Sequence, residues 1–579
     1  MVLKVCNYSK IMIAHIKNNR PLQVLLVILL IGAALRYYGL HHVESPDENN
    51  EVFEALRVAS GKFNLNRWHK KGYQNILAVE YGIYFAIGYV LNMFYNPMDF
   101  AAKIIRNMEP LFLIGRYTTA TMGTLSVALI YMIGQRIYNS RIGLAAAVLL
   151  SVSTVHIWTS HLVGTDVPLT FFFLLSFYFI CRFFDSGKLI DYSSAAFFGA
   201  VAINIKIIGV GIGIIFVSAH LLKCKKEKRR YIRYIYSKEV LYSLAAFIAG
   251  YIISNPAIIL GLKQWIMSFI WQYGIYTNVY DDVPYMMGDN TYFIYLRLLN
   301  LEFGLPLSLL TMASLIYAVY KRDNWDYILI TFIGAIFLVL SNTNFLVQNR
   351  YLMVVLPALY LLTGRFLDSF LNKFSISQRR QGAILSVVII LLSFYPLMNS
   401  LKYVITLTEE NTSVTSKRWI ESNISPGSKI LIDAGRTVIS SGPRLNQSRE
   451  KLEEQLKVIR NLKDGETFDS PQVKIVDSYA AIYFEILLRN MPQTTYDITT
   501  TELGRNVESI DYYRENGFDY IIHDEGLNYR IKDPIWRKKY PISVEFYESL
   551  DKKLQLIKTF SPSRTRSGPI IKIYKVRNI

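Results

Sequence analysis

Cysteine is nearly absent, with three in 579 residues. Cys6, Cys181 and Cys224 all fall in or beside segments read below as cytoplasmic, so no disulfide framework is expected. Charge is also sparse, at 18% of residues, while 52% are hydrophobic, and Tyr and Phe alone number 41 and 32. Apolar runs this long and frequent exclude a soluble fold and imply a polytopic membrane protein. The sequence contains no phosphate-cradling Gly loop, zinc-ligand spacing, nucleophile elbow, repeat or low-complexity tract. No small-residue cleavage site follows the first apolar run, 22–40, so that run reads as a span rather than a cleaved signal peptide. The formal net charge of +19 would suit a nucleic-acid partner. The Lys and Arg residues instead sit in short segments between apolar runs, as membrane topology requires, and nucleic acid is set aside.

About 20 apolar residues cross the ~30 Å hydrocarbon layer, and basic residues mark the loops that stay inside. Eleven spans satisfy both conditions: 21–40, 112–134, 142–161, 167–184, two within 189–222, 239–258, 303–320, 325–341, 351–371 and 382–399. The two in 189–222 are divided at Asn204 and Lys206, and the strongest inside signal is Lys223 through Lys238 with eight basic residues. Lys4, Lys10, Lys17 and Arg20 hold the N-terminus in the cytoplasm. The segment 41–110 then lies outside, with the apolar stretch 75–94 as an interfacial helix bearing Tyr81, Tyr84 and Tyr89. An odd count places the C-terminal region outside as well. From 405 the composition is that of a soluble α/β domain, with helices at 412–423 and 450–462 and strands at 429–433, 519–523 and 569–574. The expected domains are therefore 1–404, transmembrane, and 405–579, extracytoplasmic.

The stretch His41-His42-Val43-Glu44-Ser45-Pro46-Asp47-Glu48 places three carboxylates directly after the first span. Ser45-Pro46-Asp47-Glu48 also reads as a helix start, with Ser45 as N-cap, Pro46 in the first turn and Glu48 closing a capping box. On that simpler reading the acids only complement the helix dipole. Further charged residues reach the same membrane face from separate parts of the chain. Asp166 lies at the outer end of the third span, Lys206 interrupts an apolar run, Arg350 precedes Tyr351 at the mouth of the tenth, and Arg116 lies near the outer end of the second. Each has an alternative role in snorkelling or helix pairing. Together, carboxylates and cations at a lipid boundary suit an anionic lipid substrate: a carboxylate takes a hydroxyl proton while cations stabilise a departing phosphate.

These residues resemble the GT-C superfamily of membrane glycosyltransferases, close to the protein O-mannosyltransferases and the bacterial lipid A aminoarabinose transferase, in a bacterial or archaeal form. The resemblance rests on Pro46-Asp47-Glu48, Arg116 through Arg141, His161-Leu-Val-Gly-Thr-Asp166-Val-Pro168, Asn204-Ile-Lys206, Arg350-Tyr351-x5-Pro357 and Lys417-Arg418-Trp419-Ile420. It implies a polyprenyl-phosphate sugar donor, a lipid, glycan or protein acceptor, and inverting transfer at the cell envelope. It also implies Asp47 as base or acceptor-positioning carboxylate; the convergence of charges on one face adds Glu48 and Asp166 to the expected catalytic residues, Asp166 holding substrate or supporting Asp47. Lys206, Arg350, Tyr351 and Arg116 are then the ligands of the donor phosphate. Where relatives carry a Pro-Pro-Leu element, this chain has Val79-Glu80-Tyr81-Gly82-Ile83. The cofactor stays open: for a divalent cation the candidate ligands are Glu80 and His161, against a packing role for His156 and His161. Two rival functions are a lipid or solute transporter, which predicts inverted repeats and midplane acids, and a non-catalytic scaffold, which predicts Asp47 and Asp166 far apart.

Overall fold

The computed structural model describes residues 19–576 apart from 46, 62–70, 229–235, 264, 268–269, 271–290, 343–347, 434, 437–438, 441, 463–477, 502–505 and 533. Cys6, Pro46, the basic residues before position 19 and those at 229–235 thus lie outside the described residues.

Every expected span coincides with helix. The helices in chain order are α1 (Arg20–Tyr37), α2 (Glu48–Ala59), α3 (Lys71–Val90), α4 (Pro97–Arg106), α5 (Glu109–Ile137), α6 (Ser140–Ser151), α7 (Thr154–Ser160) and α8 (Asp166–Ser186). They continue as α9 (Leu189–Ile205), α10 (Ile212–Lys226), α11 (Lys238–Ser254), α12 (Thr291–Lys321), α13 (Asn324–Ser341), α14 (Leu356–Leu371) and α15 (Gln378–Ile405). Among the described residues, six helices are long and apolar enough to cross a membrane, and seven if the bent pair α6 and α7 makes one span. The core of the bundle is built from α5, α6, α8, α13 and α14, with Leu150, Leu174, Leu329 and Leu361 fully enclosed.

The expected third span is broken. Its halves, α6 and α7, meet at 60°. A break in an apolar setting leaves orphan carbonyls on one side and orphan amides on the other, and each costs several kcal/mol if unmet. Two buried side chains meet them. Arg36 donates to the carbonyls of Leu150 and Ser151, each at 3.0 Å. Glu302 accepts from the Val155 amide at 3.0 Å and from the Ser153 hydroxyl at 2.6 Å. A cation thus sits at a helix C-terminus and an anion at an N-terminus, each matching the dipole it faces.

The C-terminal part carries a five-stranded sheet. Strands β1 (Lys429–Asp433), β2 (Asp497–Thr500), β3 (Tyr520–Asp524), β4 (Gln555–Phe560) and β5 (Ile571–Lys575) stand in the order β2-β1-β3-β5-β4. The first three are parallel, and β5 and β4 close one side antiparallel. Helices pack on the sheet through two apolar cores, centred on Leu431, Ile521 and Phe546 and on Ile430, Ile522 and Ile573. Strands β2 and β4 were not read from the sequence. β4 is mostly exposed and β2 is only four residues long, so neither carries a strong alternating pattern.

Candidate active site

Four segments far apart in sequence meet at one end of the bundle. Asp166 is the first residue of α8 and is 6% exposed. It was open to a helix-start reading, yet its carboxylate takes two cations from elsewhere. Lys206 Nζ lies 2.5 Å from Asp166 Oδ1, and Arg350 Nε lies 3.8 Å from Oδ2. Arg350 also reaches Asp47, with Nη1 3.0 Å from Oδ2. Lys206 Nζ sits 4.5 Å from the centroid of the Tyr351 ring. The result is a continuous series, Asp47–Arg350–Asp166–Lys206, closed by an aromatic face. Two carboxylates and two cations balance, which lowers the cost of placing them here.

Local structure explains each placement. Lys206 follows the last residue of α9 in extended conformation, so its side chain leaves the helix axis at the interruption foreseen in the sequence. The break is fixed by Asn204, which donates to Tyr251 O and Ser254 Oγ, both at 2.7 Å. The start of α3 presses on it: a Cβ at Gly72 would come within 2.9 Å of the Ile205 backbone nitrogen, so glycine is needed there. Arg350 stands in a short 3-10 turn, Asn349–Leu352, with Nε 2.5 Å from Gln348 Oε1. Burial lowers the Arg350 pKa, and Asp166 followed by Asp47 more than reverse this, so the group stays above its ordinary value and charged.

The carboxylate neighbours divide the labour. The Asp47 side chain is 52% exposed, and although Asp47 occupies the N-cap position of α2 its side chain makes no capping bond. The expected capping box does not form, because Glu48 is claimed elsewhere. Glu48 is fully buried and takes Arg116 in a two-point pair, at 2.9 and 2.7 Å, while Glu48 Oε1 accepts the Val163 amide at 2.9 Å. Arg116 also donates to Leu40 O at 2.9 Å and is itself 3% exposed. Two residues expected to meet substrate, Glu48 and Arg116, are therefore saturated by one another. The pair ties the loop before α2 to the turn before α8, holding Asp47 beside Asp166. Replacing Arg116 by Met leaves Glu48 buried without its cation, and breaking such a pair costs about 3–5 kcal/mol. The expected outcome is a clear drop in thermal stability in detergent, with Arg116→Met/Glu48→Met recovering most of it.

Glu80 accepts Thr118 Oγ1 at 2.7 Å, and its second oxygen is buried with no hydrogen-bond partner among the described residues. His161 is fully buried with Ile157 O and Tyr38 O 2.9 and 3.0 Å from its two ring nitrogens, so neither nitrogen faces open space. His156 packs on Arg36 at 3.0 Å. Among the described residues, no group of three or more His, Cys, Asp or Glu is gathered for a metal ion. The separation of Asp47 from Asp166 that a scaffold predicts is not found, since one guanidinium touches both. Sequence reasoning missed Arg36 and Glu302, although a charge inside or at the edge of an apolar run is itself a signal. It also missed Gln348.

Known proteins share this arrangement of helices. Residues 101–258, which include Arg116, Asp166 and Lys206, match the family model described as dolichyl-phosphate-mannose-protein mannosyltransferase. The crystal structure of the Archaeoglobus fulgidus oligosaccharyltransferase, tethered with an acceptor peptide containing the NVT sequon, superposes with a TM-score of 0.50. Its identity is 12%, and the match covers 96% of this chain and 75% of that one. The chain thus has the fold of this archaeal membrane enzyme, and its residues 101–258 are similar to the mannosyltransferase family. The apo form of the same archaeal enzyme gives the same TM-score and identity, over 95% of this chain and 76% of that one. An uncharacterized protein of Aquifex aeolicus is 24% identical over 269 residues, 44% of this chain. The match spans about half, 48%, of that relative's length. The apolar helices make the chain an integral membrane protein.

Proposed function

We propose that this chain is a GT-C glycosyltransferase that moves a sugar from a polyprenyl-phosphate donor to an acceptor on the extracytoplasmic face of the cell membrane, with inversion. The observation that carries the reading is the meeting of Asp47, Arg350, Asp166 and Lys206 from four separate segments. The family model adds support, since its description names a lipid-phosphate sugar. All eleven expected segments cross the membrane in this reading, with the N-terminus cytoplasmic and the domain from 405 onward outside.

The chemistry is a single displacement. The acceptor oxygen attacks the anomeric carbon as the bond from that carbon to the phosphate oxygen breaks, and the electron pair leaves with the polyprenyl phosphate. The acceptor proton goes to Asp47. Lys206 and Arg350 stabilise charge growing on the phosphate, with Tyr351 beside Lys206. A donor phosphate competes with the carboxylates for the two cations. Asp47 is the more exposed of the two acids, so it is the one an acceptor reaches first. Asp166 keeps the two cations aligned. Glu48 and Arg116 act as positioning residues.

Mass spectrometry of lipid-linked sugars and envelope glycans in a strain lacking this gene tests the reaction class. The expected result is accumulation of one polyprenyl-phosphate sugar together with loss of that sugar from a lipid, glycan or protein. Unchanged profiles of both would contradict it, and a donor confined to the cytoplasmic leaflet would favour a transporter.

A further inference from the structure

A cavity of about 230 Å³ lies where the loop before α2 meets the C-terminal part. Its walls include Glu44 and Ser45, Trp158 of α7, Tyr403 near the end of α15, and Ser413 and Arg444 from beyond it. Ser45 is two residues from Asp47, a backbone reach of at most about 7 Å. We propose that this cavity is the acceptor subsite and that it takes a neutral saccharide ring, one hydroxyl of which is directed to Asp47. The inference rests on the transferase reading of the Asp47 face.

Three observations favour that ligand. The first is charge. Arg444 Nη2 is 3.1 Å from Glu44 Oε2, so the one guanidinium in the wall among the described residues is already neutralised, and an anionic group would have to displace a carboxylate to bind it. The second is the kind of polar group presented. Arg444 and Glu44 side chains remain 42% and 30% exposed, so the pair offers a planar donor edge and a planar acceptor edge to one ligand. Adjacent ring hydroxyls, each both donor and acceptor, satisfy both edges, with the Ser45 and Ser413 hydroxyls adding partners. The third is shape. Trp158 and Tyr403 line the cavity and supply aromatic surface for the apolar side of a sugar. The volume falls below the ~300–1,000 Å³ of pockets for drug-sized ligands, so it holds one ring and not an extended peptide.

The Glu44–Arg444 contact also joins the two parts of the chain across the cavity, and Arg444 lies 5.5 Å from the Phe112 ring of α5. Acceptor recognition thereby reaches the helix that carries Arg116.

Saturation-transfer NMR on the full chain in nanodiscs tests the proposal. The probes are methyl α-D-glucopyranoside, methyl α-D-mannopyranoside, a capped Ala-Thr-Ala peptide and glycerol 3-phosphate, and undecaprenyl phosphate binding is followed in parallel. At least one glycoside is expected to receive saturation and the other two probes none. Ser413→Trp, which fills the cavity, removes the glycoside signal while undecaprenyl phosphate still binds. Arg444→Gln and Glu44→Gln, at positions 42% and 30% exposed, each weaken the glycoside about tenfold, as loss of a charged hydrogen bond does, with melting temperature measured alongside to separate any loss of folding. Glycosides that fail to bind, bind equally to all three variants, or are replaced by the peptide or by glycerol phosphate overturn the inference. If undecaprenyl phosphate binds the wild type in that case, the transferase reading stands and only the acceptor assignment falls.

Discussion

Asp47→Asn is expected to lower sugar transfer by about 10²–10⁴-fold, the range supplied by a positioned general base. The amide keeps the size of the carboxylate and accepts a hydrogen bond from Arg350, but it cannot take the acceptor proton. The side chain is half exposed and makes no capping bond, so the substitution removes no buried pair and leaves stability nearly unchanged. Donor binding should hold or tighten, because Arg350 is freed from one carboxylate. Turnover by purified chain in nanodiscs, with melting temperature measured alongside, separates these effects. Wild-type turnover in Asp47→Asn would remove Asp47 from the chemistry. Loss of turnover with loss of folding would make it a structural residue instead.

The second large effect concerns the phosphate. Lys206 is 8% exposed and lies 2.5 Å from Asp166. Removing Lys206 alone would leave a buried carboxylate with only the more distant Arg350, 3.8 Å away, among the pairs described above, so the informative variant is Lys206→Met/Asp166→Asn, which takes out both charges. A hydrogen bond to a charged group contributes about 1.5–3 kcal/mol. Undecaprenyl phosphate affinity should therefore fall about 10–100-fold. Arg350→Gln should give a loss of the same order and should also raise the off-rate, since it removes a guanidinium that touches both acids. Arg380→Gln, at the other end of the bundle and exposed at the start of α15, serves as control and should bind as the wild type does. Equal affinity in all four chains would place the lipid phosphate elsewhere.

The helices were legible because a membrane imposes length and apolarity on them, and because basic residues collect between them. The interruption at Asn204 and Lys206 was legible for the same reason, as polar groups in an apolar run demand an explanation. The break at Val152–Ser153 was not, since its residues are small or apolar and its stabilising charges come from Arg36 and Glu302 in other helices. Tertiary pairing has no local signature. The same holds for Glu48, whose position three residues after Ser45 imitates a capping box, while its carboxylate belongs to Arg116, 68 residues on. Asp47 and Glu48 are adjacent and chemically alike, and only burial separates their roles. The cavity beside Glu44 was invisible for a related reason: Arg444 sits in Gly442-Pro443-Arg444 with no pattern to mark it.

For transfer as proposed, Asp47 and Arg350 must stand together on the outer face of the membrane, where the donor phosphate arrives. Asp47→Cys and Gln348→Cys, each in a chain whose three native cysteines are replaced, can be exposed to a membrane-impermeant maleimide in intact cells. Both sites are predicted to react from outside, and undecaprenyl phosphate should protect each of them in nanodiscs. Reaction of either site only after permeabilisation, or protection of one without the other, would contradict the account.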